Sequence, residues 1–316
     1  MKFLFILDPY ASLKLVKDTS VAMMREAAAQ GHQLFVCQQQ DIFLRHDVVH
    51  LKTQAFSFSN AENWYALSEI TEQLPTDFDA IIMRKDPPFD NEYLYSTYLL
   101  ELANKQGGYV INNPITVRSW NEKLSVARFP QFCPAFLVTS QADLIIDFLN
   151  KQQEIVVKPL DGMGGASIFR LTKNDLNLNV ILETITHFGK QTIMAQQYLP
   201  AITQGDKRII VIDGNPLPYA LARIPKAGET RGNLAAGGKG VVRPLSTRDL
   251  EIATTIGKTL KEEGLFFVGL DVIGDYLTEI NVTSPTGIVE IAAQTNCKPA
   301  QIFLNALISK LESKSH

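Results

Sequence analysis

Seven residues, Asp161-Gly162-Met163-Gly164-Gly165-Ala166-Ser167, separate two apolar segments that both read as strands, Ile155 to Lys158 and Ile168 to Leu171. Glycines at such a turn leave no Cβ between the backbone N–H groups and an approaching anion. The surroundings exclude two familiar phosphate loops. A P-loop needs Gly-Lys-Ser/Thr opening a helix, and a dinucleotide fingerprint needs a helix after its glycines. A strand follows here instead. The turn is either an ordinary tight hairpin or a flap that folds over a nucleotide. Lys158 ends the strand before it, and a lysine there is costly unless it meets an anion. Lys123, earlier in the chain, is either its partner or a solvated helix lysine.

The rest of the chain fits a two-part organisation. In the first third, Phe3 to Leu7, Gln33 to Cys37, Ala80 to Met83 and Tyr109 to Ile111 read as short apolar strands. Helices at Ser12 to Gln30 and Asn91 to Lys105 alternate with them, which predicts a parallel α/β sheet. Asn112-Asn113-Pro114 marks a boundary. Beyond it come a helical stretch at Asn121 to Arg128, a strand at Ala135 to Val138 and a helix capped by Ser140. Strands then dominate from Thr192 to Ile224, and a glycine-rich stretch, 225–241, reads as a long mobile loop. A helix at Thr247 to Glu263, a strand pair at Phe266 to Ile273 and Tyr276 to Val282, and a last helix from Pro299 to Leu311 complete an α+β half with antiparallel sheet.

Composition narrows the function. The 316 residues are 46% apolar and 20% charged, with a formal charge of −3, so neither nucleic acid nor an anionic membrane is favoured as partner. Three scattered cysteines, Cys37, Cys133 and Cys297, form neither a disulfide framework nor a metal spacing. The apolar stretch before Asp8-Pro9 is too short for a secretory signal, and no run approaches a membrane span, so a cytoplasmic protein is expected.

Two apolar segments carry oxygen ligands, Gly269-Leu270-Asp271-Val272-Ile273 and Leu277-Thr278-Glu279-Ile280-Asn281. Asp271, Glu279 and Asn281 suit a hard cation held partly by substrate phosphates, the alternative being the polar side of a surface hairpin. A shared ion requires Asp271 and Glu279 on one face. A two-residue turn at Gly274-Asp275 would pair Asp271 with Thr278 and defeat it. A three-residue connection, or a bulge of equal effect, would pair Asp271 with Glu279. Arg208, Arg223 and Arg231 lie between the glycine turn and these carboxylates. Singly they read as surface residues; together they read as clamps for phosphate or carboxylate.

Lys158-Pro-Leu-Asp-Gly-Met-Gly-Gly-Ala-Ser, Leu221-Ala-Arg-Ile-Pro, Gly228-Glu-Thr-Arg-Gly-Asn-Leu-Ala-Ala-Gly-Gly and Val268-Gly-Leu-Asp-Val-Ile-Gly-Asp with Thr278-Glu-Ile-Asn-Val-Thr-Ser-Pro-Thr resemble the ATP-grasp ligases. Within that group the chain is most similar to the prokaryotic glutathione synthetases. Met83-Arg84-Lys85-Asp86-Pro87-Pro88-Phe89-Asp90 and Asn121-Glu122-Lys123-Leu124 belong to the same resemblance. It implies a parallel α/β N-terminal domain (1–120) and a two-part ATP-grasp domain, a small subdomain (121–198) and a large one (199–316). It also implies ligation of γ-glutamylcysteine and glycine through an acyl phosphate, with ATP and Mg²⁺ or Mn²⁺, in a homo-oligomer, dimer or tetramer. Lys123, Lys158 and the 162–165 backbone, Met163 included, would grip phosphates. Gln196, Gln197, Tyr198 and Leu199 would form the adenine hinge, and Asp206 would contact ribose. Asp271, Glu279 and Asn281 would hold the metal, and Arg208 the transferring phosphoryl group. Arg223 and Arg231 would clamp carboxylates or the intermediate, while Asn233, Ser284 and Thr286 would line the peptide or glycine pocket. The 226–241 loop would close as a lid. Alternatives are an ATP-grasp ligase of another acid–amine pair, or an ATP-binding module without turnover.

Overall fold

The computed structural model describes residues 1–316 apart from 61–62, 163, 227–231, 233–236 and 315–316. β1 (Lys2–Leu7) is buried at every residue after Lys2, the pattern of a strand covered on both faces. α1 (Thr19–Ala29) begins at Thr19 and not at Ser12. The Asp18 carboxylate accepts from the Ser20 and Val21 amides at 2.7 and 3.0 Å and so fixes the start. Ser12 lies instead in a short 3-10 turn.

There follow β2 (Gln33–Gln38), β3 (Ile42–Arg45), β4 (Val48–Phe58), β5 (Tyr65–Leu67), β6 (Thr71–Gln73), β7 (Ala80–Met83), α2 (Asn91–Lys105) and β8 (Val110–Ile111). They build one sheet of order β3-β4-β2-β1-β7-β8, with β5 and β6 also paired to β4. Only β2, β1, β7 and β8 are parallel. β4 joins β2 antiparallel and pairs antiparallel with β3, β5 and β6. The expected parallel sheet is therefore mixed. Along most of β4 buried positions alternate with more exposed ones, as in a strand with one open face.

α3 (Pro114–Ser119) leads out of this sheet. Beside it, buried Asn112 accepts from the Phe266 and Phe267 amides at 2.7 and 2.8 Å and donates to the Phe267 and Val282 carbonyls at 2.9 and 2.8 Å. These four bonds fasten the end of the first sheet to the third. The stretch at Asn121 to Arg128 contains a 3-10 turn, Leu124–Arg128, and not an α-helix.

The second sheet comes from β9 (Phe136–Thr139), α4 (Ala142–Gln152), β10 (Glu154–Pro159), β11 (Phe169–Thr172), α5 (Leu178–Ile185) and β12 (Ile193–Gln197). Its order is β11-β10-β12-β9, antiparallel throughout. Gln141, not Ser140, stands at the α4 N-cap and makes no side-chain cap bond.

The third sheet, β15-β14-β13-β16-β17, is also antiparallel. It is formed by β13 (Asp206–Ile212), β14 (Asn215–Ile224), β15 (Lys239–Pro244), β16 (Phe267–Ile273) and β17 (Tyr276–Asn281), with α6 (Thr247–Glu262) between β15 and β16. β15 begins inside the stretch read as a loop; of the remainder, 227–231 and 233–236 lie outside the described residues. α7 (Ile288–Gln294) was not foreseen. α8 (Pro299–Lys314) returns to pack on α1, with Phe303 edge-on to Phe266 and Phe267. Among the described residues no helix is long and apolar enough to cross a membrane.

Candidate active site

The strand registers of the third sheet put one set of charges on one face. Asp206 and Arg208 are two apart on β13 and share a face. Arg223 of β14 stands opposite Asp206, and Asp271 of β16 stands opposite Arg208. Glu279 of β17 stands opposite Asp271, and Asn281 opposite Gly269. The β16–β17 turn is the short Gly274-Asp275 turn, which alone would put Glu279 on the wrong face. A bulge corrects it: the register shifts after Asp271, so Val272 pairs with Leu277 and Thr278 is the extra residue. Gly269 makes room for this face, since a Cβ there would lie 2.8 Å from Arg208 Cδ and 2.9 Å from Pro285 Cβ.

The charges pair among themselves. Arg208 donates from Nε and Nη2 to the two Asp271 oxygens at 2.5 and 3.0 Å, and from Nη1 to the Thr286 carbonyl at 3.4 Å. Arg223 meets Asp206, and reaches Asp271 at 2.8 Å. Burial would push the Asp271 carboxyl up; the Arg208 and Arg223 guanidiniums overcome it and hold the group below its usual range. Asp206 has the opposite balance: burial outweighs Arg223 and lifts its carboxyl to about 6.

This face opens on a cavity of about 370 Å³ whose other walls come from the second sheet, the glycine turn and the segment at Asp86 and Pro87. Lys158 is 6% exposed, and Nζ donates to Gln196 Oε1 and to the Thr278 carbonyl, both at 3.2 Å. Neither partner is an anion, and burial pushes the ammonium down. Lys123 is buried too, with Nζ 2.6 Å from the Gly162 carbonyl and 3.4 Å from Glu279 Oε1. Gly164 and Gly165 turn the flap through φ of +65° and +81°, the left-handed region. Gln196, Gln197, Tyr198 and Leu199 line the cavity. The Gln197 and Tyr198 amides are committed to the Ala135 and Glu154 carbonyls at 2.8 and 3.1 Å, whereas no acceptor among the described residues meets the Leu199 amide. Gln196 Nε2 and Asp206 Oδ1 are buried without a partner among the described residues. Ser284 and Thr286 line the cavity as well.

Met163, Arg231 and Asn233 lie outside the described residues, as does most of the stretch expected to form the lid. Every other residue expected at the site borders the one cavity. Two charged wall residues had no assigned role, although their motifs were noticed. Glu122 Oε1 accepts from the Val282 and Thr283 amides at 3.1 and 3.2 Å and from the Thr283 hydroxyl at 2.8 Å. Burial and the neighbouring Glu279 push its carboxyl up. Asp86 is the other.

A glycine flap between two antiparallel strands, facing a second antiparallel sheet with lysines, arginines and carboxylates between, defines an ATP-grasp protein. Solved structures share the whole fold. A D-cycloserine synthetase, DcsG, superposes with a TM-score of 0.68 at 14% identity over 98% of this chain and 99% of that one. The ATP-grasp ligase PsnB, complexed with a precursor peptide and AMPPNP, gives 0.63 at 17% identity over 98% of each chain. The family is closer than these. The model of the prokaryotic glutathione synthetase N-terminal domain matches residues 1–118, and that of the prokaryotic glutathione synthetase ATP-grasp domain matches 122–296. A glutathione synthetase of Nitrosomonas europaea is 55% identical over the full length of both chains, and one of Pseudomonas aeruginosa is 50% identical over 98% of each. The chain belongs to the prokaryotic glutathione synthetase family.

Proposed function

We infer that the chain is an ATP-dependent ligase that joins γ-glutamylcysteine to glycine, giving glutathione, ADP and phosphate. Full-length similarity to glutathione synthetases carries this reading, and the lysines, arginines and carboxylates that the described residues bring around one cavity support turnover. A carboxylate is a poor electrophile toward an amine. Transfer of the ATP γ-phosphoryl group to the cysteinyl carboxylate gives an acyl phosphate, which the glycine amine attacks with loss of phosphate. No side chain need form a covalent bond; the protein positions reactants and offsets charge.

Lys123 and Lys158 grip the phosphates, with the 162–165 backbone as flap. Lys158 supports this directly, since a buried ammonium without an anion invites one. The free Leu199 amide and the Gln196 side chain meet adenine, and the unpartnered Asp206 oxygen accepts from a ribose hydroxyl. Arg208 stabilises the transferring group. Arg223 and Arg231 hold carboxylates, and Asn233, Ser284 and Thr286 border the peptide and glycine.

The donor set fits a hard cation. Asn281 donates its amide N–H to the Gly269 carbonyl, which leaves Oδ1 as acceptor; among the described residues the Glu279 carboxylate meets Lys123 alone, and Asp271 would offer lone pairs beyond those its arginines use. Among the described residues no three His, Cys, Asp or Glu side chains could hold a metal by themselves, which suits an ion that takes part of its shell from substrate phosphates. Asp271, Glu279 and Asn281 would hold Mg²⁺ or Mn²⁺, which supplies charge neutralisation at the phosphates. The test is phosphate release by the purified protein: it should require ATP, a divalent cation, γ-glutamylcysteine and glycine together. Equal release with glycine omitted would reject the reading. Light scattering on the same preparation reads out the homo-oligomer the reading expects.

A further inference from the structure

β17 ends the third sheet, and among the described residues no further strand pairs with its outer edge. The edge groups are met one by one instead. The Thr278 carbonyl accepts from Lys158 Nζ at 3.2 Å. The Ile280 amide donates to the Glu122 carbonyl at 2.8 Å, and the Val282 amide donates to Glu122 Oε1 at 3.1 Å. Alternate residues of a strand face the same edge, so these three contacts run along one side of β17. Glu122 Oε1 also accepts from the Thr283 amide and hydroxyl, at 3.2 and 2.8 Å. One carboxylate therefore holds the chain directly after Asn281, where the pairing with β16 stops.

Glu122 is itself held between the two sheets. Asn121 Oδ1 accepts from the Lys123 and Leu124 amides at 3.1 and 2.9 Å, and Asn121 Nδ2 donates to the Leu160 carbonyl at 3.1 Å, just before the glycine turn. Lys123 Nζ meets the Gly162 carbonyl and Glu279 Oε1. Asn121, Glu122 and Lys123 thus bridge the flap to the strand that carries Glu279 and Asn281.

We propose that Glu122 is a positioning residue for the divalent cation: by fixing the chain after Asn281 it aims Glu279 and Asn281 at the nucleotide phosphates beside Lys123. This rests on the cation and nucleotide assignments above. Partners of this outer kind orient the groups that touch a metal, and losing one typically costs about 10–100-fold in metal affinity or activity. Glu122→Ala removes the side-chain acceptor and keeps the main-chain carbonyl that Ile280 meets. Lys123 then keeps its place, while residues 282 and 283 lose their anchor. The expected defect lies in the cation and not in nucleotide binding as such.

The experiment measures ADP binding by calorimetry, in chelator and over a Mg²⁺ series, in wild type, Glu122→Ala and Glu122→Gln. Wild type should bind ADP more tightly as Mg²⁺ rises. In Glu122→Ala the Mg²⁺ concentration at half of that gain should rise about 10–100-fold, with metal-free ADP affinity within about twofold of wild type. Glu122→Gln keeps an acceptor oxygen and should stay within about fivefold of wild type. Thr283→Val drops one donor to Oε1. It should raise the half-point about two- to tenfold alone, and not at all in the Glu122→Ala background. An unmoved half-point in Glu122→Ala would overturn the proposal. So would an equal loss of ADP affinity with and without Mg²⁺, a Glu122→Gln as impaired as Glu122→Ala, or independent effects of the Glu122 and Thr283 substitutions. If Glu122→Ala does not fold, Thr283→Val decides alone, and an unchanged half-point there would overturn the proposal. Wild type that gains nothing from Mg²⁺ would sink the cation assignment, and the proposal with it, whereas a gain untouched by Glu122→Ala would leave that assignment standing.

Discussion

Asp271→Asn isolates what the buried charge cluster contributes. Asp271 is 4% exposed, and two guanidiniums reach it at 2.5, 3.0 and 2.8 Å. Asparagine keeps one acceptor oxygen, turns an NH₂ toward an arginine, and leaves Asp206 on Arg223 but, among the described residues, no carboxylate on Arg208. Removing one partner of a buried pair costs about 3–5 kcal/mol. At about 2–4 °C per kcal/mol for a chain of this size, the melting temperature at pH 7 without ligands should fall by roughly 6–20 °C. The pH dependence has a definite sign. Asp271 is depressed below its ordinary 3.8 in the folded state, so its contribution is complete above that value and fades as pH falls through the folded value. The part of the gap due to the Asp271 charge should hold from pH 7 to about 4 and close below it. Asp206 acts oppositely in the wild type: with a folded value near 6 against 3.8, the native state binds more protons over that window, and stability falls as pH rises through it; the Asp271 charge is one cause of that elevation, so the variant should show a shallower slope there. Calorimetry between about pH 3 and 7 reads both slopes. A variant melting within about 2 °C of wild type at pH 7 would refute the claim that Asp271 anchors the arginines.

Other expectations follow from single contacts. Lys158→Ala should lower kcat by about 10²–10³ with the fold intact, because a charge leaves a dry phosphate site; near-normal turnover would reject that role. Asn112→Ala strips partners from the Phe266 and Phe267 amides and the Phe267 and Val282 carbonyls. At roughly 1 kcal/mol each it should cost about 2–4 kcal/mol in denaturant unfolding, and an unchanged midpoint would show that water replaces the side chain freely. Chelation of divalent ions should abolish turnover and Mg²⁺ should restore it; turnover in excess chelator would remove the cation from the scheme.

The parts legible in the sequence were those with a local rule. Lys158 before a glycine turn, and Asp271, Glu279 and Asn281 inside apolar strands, stand out because charge in such places needs a partner. Alternation along the strands then required either an odd connection or a bulge between Asp271 and Glu279, and the structure has the bulge, at Thr278. One miss was local: the start of α1 depends on its Asp18 cap and not on the apolar run. The other misses were set at long range. β4 joins the parallel strands by pairing antiparallel with β2, Leu34 opposite Phe56, a pairing that no short window of sequence reveals. Glu122 sits beside Lys123, and only the fold brings it to Val282 and Thr283. Asp86, inside a motif the resemblance covers, has no role in the sequence until the strand ends place it on the cavity.

The central claim is transfer of phosphate through the substrate carboxylate. γ-Glutamylcysteine carrying heavy oxygen in its cysteinyl carboxylate, turned over with glycine and MgATP, tests it in one mass spectrum of the released phosphate. The account predicts one labelled oxygen in each phosphate formed with glutathione. Label-free phosphate from a glycine-dependent turnover would contradict the acyl phosphate and the roles assigned to Arg208 and Lys158 with it.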